Sequence, residues 1–178
     1  MNKLKMMALL AMVFIASQGF AQYTPVDAKS KLEFTIKNLG FPVTGTFGGF
    51  EGKINFDAQN AAANAFDVSI NAATVNTDNG LRDEHLRGDN YFDVKNNPRI
   101  RLLSTKVEGG NGKYVFTGQL TIKGKTKQVS FPFTATTSGN EVAFKGTFKM
   151  NRRNFNLGGA STISDELEVI ITTVAKKG

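Results

Sequence analysis

Apolar and polar residues alternate along most of this chain. In "KLEFTIKNL" Leu32, Phe34 and Ile36 share one face, and in "AFDVSINAATV" Phe66, Val68 and Ile70 do. "KYVFTGQLTIK" places Tyr114, Phe116, Leu120 and Ile122 on one side and Thr117, Gln119, Thr121 and Lys123 on the other. "QVSFPFTA", "VAFKGTFKM" and "ELEVIITTV" repeat the pattern with Val129, Phe131 and Phe133, then Val142, Phe144, Phe148 and Met150, then Leu167, Val169 and Ile171. A period of two is the signature of a strand with one buried face. Turn residues separate the runs at Gly109-Gly110-Asn111-Gly112, Lys123-Gly124-Lys125 and Ser138-Gly139-Asn140. The spacing predicts an all-β domain, a sandwich or barrel of roughly eight antiparallel strands.

One run changes parity. In "VTGTFGGFEGKINFD" Val43, Gly45 and Phe47 share one phase, whereas Phe50, Ile54 and Phe56 share the other. The switch falls on Gly48-Gly49, where a bulge returns both apolar sets to the same face and bends the strand as barrel closure requires.

The first 21 residues do not fit this pattern. Lys3 and Lys5 precede the apolar run "ALLAMVFIAS", and Gly19-Phe20-Ala21 supplies small residues at a cleavage site. This reads as a signal peptide at 1–21, leaving a single domain at 22–178 of about 157 residues, enough for a real core. The expected location is the periplasm or the extracellular medium. No cysteine follows the apolar run, which argues against a lipid anchor.

Composition then narrows the chemistry. The chain has no cysteine, so thiolate catalysis, cysteine-bound zinc and redox roles are excluded. The formal charge of +7 falls to about +5 without Lys3 and Lys5. For an exported chain this suits solubility or an anionic membrane or ligand, with no nucleic acid as partner. Lys123, Lys125 and Lys127 project around Gly124 either as a solvated turn that guards an edge or as a membrane-docking patch; Arg152 and Arg153 carry the same two readings. The many phenylalanines on the inward face line either a packed core or an apolar cavity, which alternation cannot distinguish.

The densest polar stretch is "GLRDEHLRGDNYFD", residues 80–93, with the only histidine, His85. It predicts a short helix capped by Asp78 and ended by Gly88. Asp78 with Arg82, and Asp83 with Arg87, are spaced to pair at i, i+4, and Tyr91 and Phe92 re-enter the interior. His85 beside Asp83 and Glu84 has the elements of a general base, but there is no second histidine, no Gly-x-Ser-x-Gly and no His-pair metal motif. A structural brace over one end of a barrel, with no catalytic and no metal-binding residue, is the better reading.

"VNTDNGLRDEHLRGDNYFDVKNNP", "GQLTIKGKTKQVSFP" and "NRRNFNLG", in that order, resemble the YceI-like family of exported polyisoprenoid-binding proteins. The resemblance runs from about Leu32 to the C-terminus. It implies a lipocalin-like antiparallel barrel with an elongated apolar cavity, a short helix or loop over one end, and binding rather than catalysis. On that basis Phe34, Ile36, Phe47, Val68, Ile70, Phe116, Leu120, Phe131, Phe133, Phe144 and Phe148 line the cavity. Asn38, Arg82, Asp83, His85, Arg87, Tyr91 and Phe92 form the lid or brace and the candidate head-group contacts. The chain departs from the family at Asn38, where histidine is common, and at Asn154 and Asn156, where acid and glycine are common. The expected function is holding a long apolar, polyisoprenoid-like chain for transport, storage or sequestration. The expected partners are a long-chain lipid or isoprenoid, with transient contact to an anionic membrane and a homodimer both left open, and no cofactor. The alternative is a non-catalytic structural or stress-related interaction domain with a filled core.

Overall fold

Period-two runs bounded by left-handed turns fold here into one continuous antiparallel sheet. The structure is a computed structural model and describes residues 21–178; the expected signal peptide, apart from Ala21, lies outside the described residues. The strands are β1 (Gln22–Pro25), β2 (Lys31–Asn38), β3 (Phe41–Phe47), β4 (Glu51–Asn55), β5 (Ala65–Asn71), β6 (Arg99–Gly110), β7 (Lys113–Ile122), β8 (Lys125–Ser138), β9 (Glu141–Asn151) and β10 (Ile163–Lys177). Among the described residues a single α-helix, α1 (Gly80–Arg87), lies in the long connection between β5 and β6.

The strand order is β1-β4-β5-β6-β7-β8-β9-β10-β2-β3, and β1 also pairs with β10, which closes the sheet into a barrel. β1 and β2 share one position beside β10, and β3 and β4 share the next, so ten segments make an eight-stranded barrel.

The expected bend at Gly48-Gly49 is a full interruption between β3 and β4. Gly49 has φ +69°, and a Cβ there would meet the Cβ of Asn71 at 2.6 Å, so glycine is required. The break keeps both apolar sets inside: Phe47, Phe50, Ile54 and Phe56 are all buried. A 3-10 turn at Asp27–Lys29 interrupts the neighbouring position between β1 and β2, and Asp27 Oδ1 accepts the amide of Phe50 at 2.8 Å. The two breaks therefore satisfy each other.

The core divides along the barrel axis. At the closed end Phe56, Phe66, Tyr114, Phe133 and Phe144 pack edge-to-face or stacked at centroid distances of 5.1–5.5 Å. At the other end, under α1, a second cluster contains Phe47, Val75, Leu120, Phe155 and Leu157. There the strands diverge. β8 pairs with β9 only from Phe133↔Gly146 to Ser138↔Glu141, and a 3-10 turn at Arg152–Phe155 lies beside the unpaired part of β8. Buried Phe155 fills the gap.

Candidate functional site

The mouth of the barrel holds a cavity of about 660 Å³. Its wall is built from inward positions of β2 (Leu32, Phe34, Ile36), β7 (Leu120, Ile122), β9 (Phe148, Met150) and β10 (Leu167, Val169). Val43, Phe47, Ile70 and Ile100 add to the apolar wall, with Leu86, Phe92, Leu157 and Ile163. Polar groups gather at the rim: Asn38, Thr77, Arg82, Glu84, His85, Asp89, Asn90, Tyr91 and Arg152. Glu84, Asp89 and Asn90 are exposed, so the cavity reaches solvent beside α1. An apolar interior with a few polar groups at one end suits an amphipathic molecule.

Of the inward residues expected from parity, Phe34, Ile36, Phe47, Ile70, Leu120 and Phe148 border this cavity. Val68, Phe116, Phe131, Phe133 and Phe144 do not; they surround a separate void of about 100 Å³ deeper in the barrel. The reason is the aromatic packing of the closed end, which fills the interior where the expected cavity would continue.

α1 is positioned by tertiary contacts rather than by its own charge ladder. Its N-cap is Asn79, whose Oδ1 accepts the Arg82 amide at 3.0 Å, and not Asp78. Asp78 has φ +57°, outside the extended conformation that a cap requires, and its amide donates to Asn76 Oδ1. Gly88 ends the helix as expected, in an extended conformation.

Neither expected i, i+4 ion pair forms. Asp83 is buried and accepts from the amide and the hydroxyl of Thr77. Arg82 donates through Nε to Thr77 Oγ1 and through Nη2 to Thr77 O, both at 2.7 Å. Arg87 donates to Ala73 O and Val75 O. The arginines serve backbone carbonyls of the preceding segment, which has no strand to satisfy them. Among the lid residues Asn38, Arg82, His85, Tyr91 and Phe92 border the cavity, whereas Asp83 and Arg87 are structural ties. Phe92 packs edge-to-face on Phe47 at 5.2 Å, which seats the end of the lid on the wall.

Arg152 is the rim residue that sequence reasoning left on the surface. It is buried, and its guanidinium donates to the carbonyls of Ser164, Leu157, Gly159 and Ile163 at 2.7–3.2 Å. Nη2 also meets Asp165 Oδ1 at 2.9 Å. This one side chain ties the loop before β10 to the first residues of β10. Its inward parity, shared with Phe148 and Met150, was a usable signal. Arg153 is exposed. Lys123 donates to Asn156 O at 3.2 Å, and Lys125 and Lys127 are exposed on β8. Asn156 has φ +55°, a left-handed conformation that accounts for glycine being common there and that asparagine tolerates. Asn38 Oδ1 accepts from Thr162 Oγ1 at 2.7 Å, so it ties the β2 end to the same loop.

His85 is exposed, and its side chain has no hydrogen-bond partner among the described residues. No cluster of three acidic or histidine groups with metal-binding geometry occurs among the described residues.

The profile of the YceI-like domain family matches residues 23–175. A UPF0312 protein of Yersinia pestis (strain Pestoides F) is 31% identical over 177 residues, covering 93% of this chain and 92% of its own length. A UPF0312 protein of Pseudomonas paraeruginosa (strain DSM 24068 / PA7) is also 31% identical, with 93% of each chain covered. The crystal structure of Burkholderia cenocepacia BcnA superposes with a TM-score of 0.80 at 30% identity, over 85% of this chain and 99% of that one. A polyisoprenoid binding domain from Saccharophagus degradans, implicated in plant cell wall breakdown, superposes at 0.71 over 89% of this chain and 99% of that one. At 14% identity that last likeness is one of fold.

Proposed function

The chain belongs to the YceI-like family, and from that premise we propose that it is a lipid carrier without catalytic activity, holding a polyisoprenoid-like chain in the mouth-end cavity. The observation that carries this reading is the apolar-walled space of about 660 Å³ inside the barrel, open beside α1. Burial of each methylene contributes about 0.8 kcal/mol, so affinity needs few polar contacts. Arg82 suits an anionic head group at the rim, since its hydrogen bonds go to neutral oxygens of Thr77. The likeness to a polyisoprenoid binding domain supports the ligand class. The filled-core alternative applies to the far half of the barrel, and the open mouth favours a carrier.

We place the protein outside the cytoplasm, on the basis of the signal-peptide pattern at 1–21. Loading from an anionic bilayer is part of the proposal. The β2–β3 hairpin exposes Leu39 by 70% and Phe41 by 74% at the same end as the cavity mouth, where Lys123, Lys125 and Lys127 lie. An apolar tip and a lysine hairpin on the same rim suit the interface of a negatively charged membrane.

The test is organic extraction of the purified protein followed by mass spectrometry, and uptake of a fluorescent polyene by the delipidated protein. A long-chain lipid in the extract and saturable uptake, reduced by Ile36→Trp in a folded variant, are expected. A clean protein with no uptake refutes the carrier and favours the filled-core domain.

A further inference from the structure

β8 is paired on both sides over only part of its length. β7 accompanies it from Ile122↔Lys125 to Lys113↔Thr134, whereas β9 joins it first at Phe133↔Gly146. From Lys125 to Pro132 the side away from β7 carries no ladder. The 3-10 turn that fills the gap with Phe155 gives β8 no backbone hydrogen bond, and no other described segment does. Lys125, Thr126, Lys127 and Gln128 are all exposed, so both faces of this end of the strand stand clear of the barrel wall.

The turn decides which backbone groups are left over. Lys123 and Gly124 have φ +48° and +68°, as in a two-residue type I′ turn. The residues beside such a turn exchange hydrogen bonds, so Lys125, Lys127 and Val129 bond to β7, while Thr126, Gln128 and Ser130 aim their N–H and C=O groups outward from the pair. The side-chain approaches of Thr126 to Thr121 at 2.9 Å and of Ser130 to Thr117 at 3.1 Å agree, since side chains come closest at the pairs without backbone bonds. An open row of donors and acceptors thus recurs at every second residue. Lys125 and Lys127 share one face of it. Neither they nor Arg153 on the adjoining turn has a carboxylate within ion-pair distance among the described residues, whereas Lys31, Lys106 and Lys149 on other strands are each paired.

We propose that the Lys125–Ser130 edge of β8 is a docking strand for an extended acidic segment of another protein, which adds to the sheet with carboxylates at alternate positions opposite Lys125 and Lys127. Such a segment satisfies the backbone row and the unpaired charges together. A bilayer surface neutralises the lysines but offers no strand to the row. A second copy joined edge to edge sets lysine against lysine, the arrangement by which edge lysines discourage self-pairing. The other free edge a second copy could offer, β3, carries no acid. A docked segment covers the lysines proposed to meet the membrane, so partner and bilayer exclude each other at this rim.

The test is titration of the isotope-labelled protein with an acetylated, amidated Glu-Thr-Glu-Thr-Glu-Thr peptide, read by amide hydrogen exchange. Saturable binding is expected to slow exchange at Thr126, Gln128 and Ser130 and to leave Lys125 and Lys127, already bonded to β7, unchanged. Lys125→Glu combined with Lys127→Glu is expected to weaken binding about tenfold. Gln128→Pro removes one donor of the open row without touching the β7 ladder and is expected to do the same. A Glu-Glu-Glu-Thr-Thr-Thr peptide of equal charge, which cannot alternate, is expected to bind about tenfold less well and serves if the proline variant does not fold. Equal binding of the two peptides, or undiminished binding by Gln128→Pro, reduces the edge to a charged patch and overturns the docking strand. Protection that rises with protein concentration and needs no peptide identifies a second copy as the occupant, and protection by phosphatidylglycerol vesicles but not by peptide identifies a bilayer. Either result overturns the proposal, as does the absence of saturable binding.

Discussion

Asp83 accepts two hydrogen bonds from Thr77, from the amide at 2.9 Å and from the hydroxyl at 2.6 Å, and both residues are buried. This double contact, with the Arg82 and Arg87 bonds to the 73–77 segment, fixes α1 over the mouth. A buried amide and hydroxyl left without their acceptor cost about 1–3 kcal/mol each. Asp83→Ala combined with Arg87→Ala should therefore loosen the helix and speed ligand release. Stopped-flow measurement of polyene dissociation checks this; an unchanged rate would show that α1 is not the gate.

His85→Ala should change stability by no more than about 0.5 kcal/mol. The side chain is exposed and unbonded among the described residues. Denaturant unfolding of the two proteins side by side is sufficient. A large loss would reveal a role for the imidazole that its surroundings do not indicate.

Arg152→Met should cost about 3 kcal/mol or more. Hydrogen bonds to a charged group contribute about 1.5–3 kcal/mol apiece, and the substitution removes the donor from four carbonyls of the 157–164 segment. The unfolding midpoint reports the loss, and proteolysis should begin in this loop. A neutral result would mean that water replaces the guanidinium without penalty.

The Asp67–Arg101 pair provides a pH readout. The hydrogen bond from Arg101 holds the Asp67 carboxyl below its ordinary value of 3.8, burial opposes this, and the Arg101 charge adds to the lowering. Both side chains are about half exposed, at 51% each, so solvent screening leaves a few tenths of a kcal/mol at most. A depressed carboxyl stabilises the fold above its unfolded pKa, and the contribution disappears as pH falls through the folded value. The stability gap between the unmodified protein and Asp67→Asn should thus be complete at neutral pH and close below about 3.8. A gap that persists in acid would point to a packing origin.

Leu39→Asp with Phe41→Asp should slow polyene transfer to vesicles of phosphatidylglycerol and phosphatidylcholine, with binding in solution unchanged. The two residues are exposed at the hairpin tip, outside the cavity wall. Transfer at the original rate would exclude this tip as the membrane contact.

The barrel was legible because inward positions recur every second residue within each strand, and the one change of phase falls on the Gly48-Gly49 pair that marks the break. β6 escaped notice for a definite reason: its register shifts between Ser104 and Lys106, so Ile100 and Leu102 lie in one phase and Val107 in the other. β1 is too short to show a period. On the site, parity placed Phe34, Ile36 and Phe148 at the wall but could not separate a wide cavity from a packed end, since both are built of inward phenylalanines. The charge spacing in α1 misled because an i, i+4 rule sees only neighbours on the helix, and Thr77 before it offers Asp83 better donors. Arg152 was marked by its inward phase, yet its partners are backbone carbonyls of the patternless loop after Phe155 and of the first residues of β10, which no side-chain pattern reveals.

β3 has β2 along one side, but along the other only the bridge between Thr46 and Asn76. Near Thr46 that edge is covered by the connection that carries α1, whose Asn76 supplies the bridge. Pro42, which has no backbone N–H, interrupts its row of donors. An uncovered strand edge is a template for pairing with another chain. Any change that frees α1 to hasten cargo exchange therefore also bares a site for self-association. Turnover and colloidal stability depend on the same α1 connection, and faster variants should be the first to precipitate.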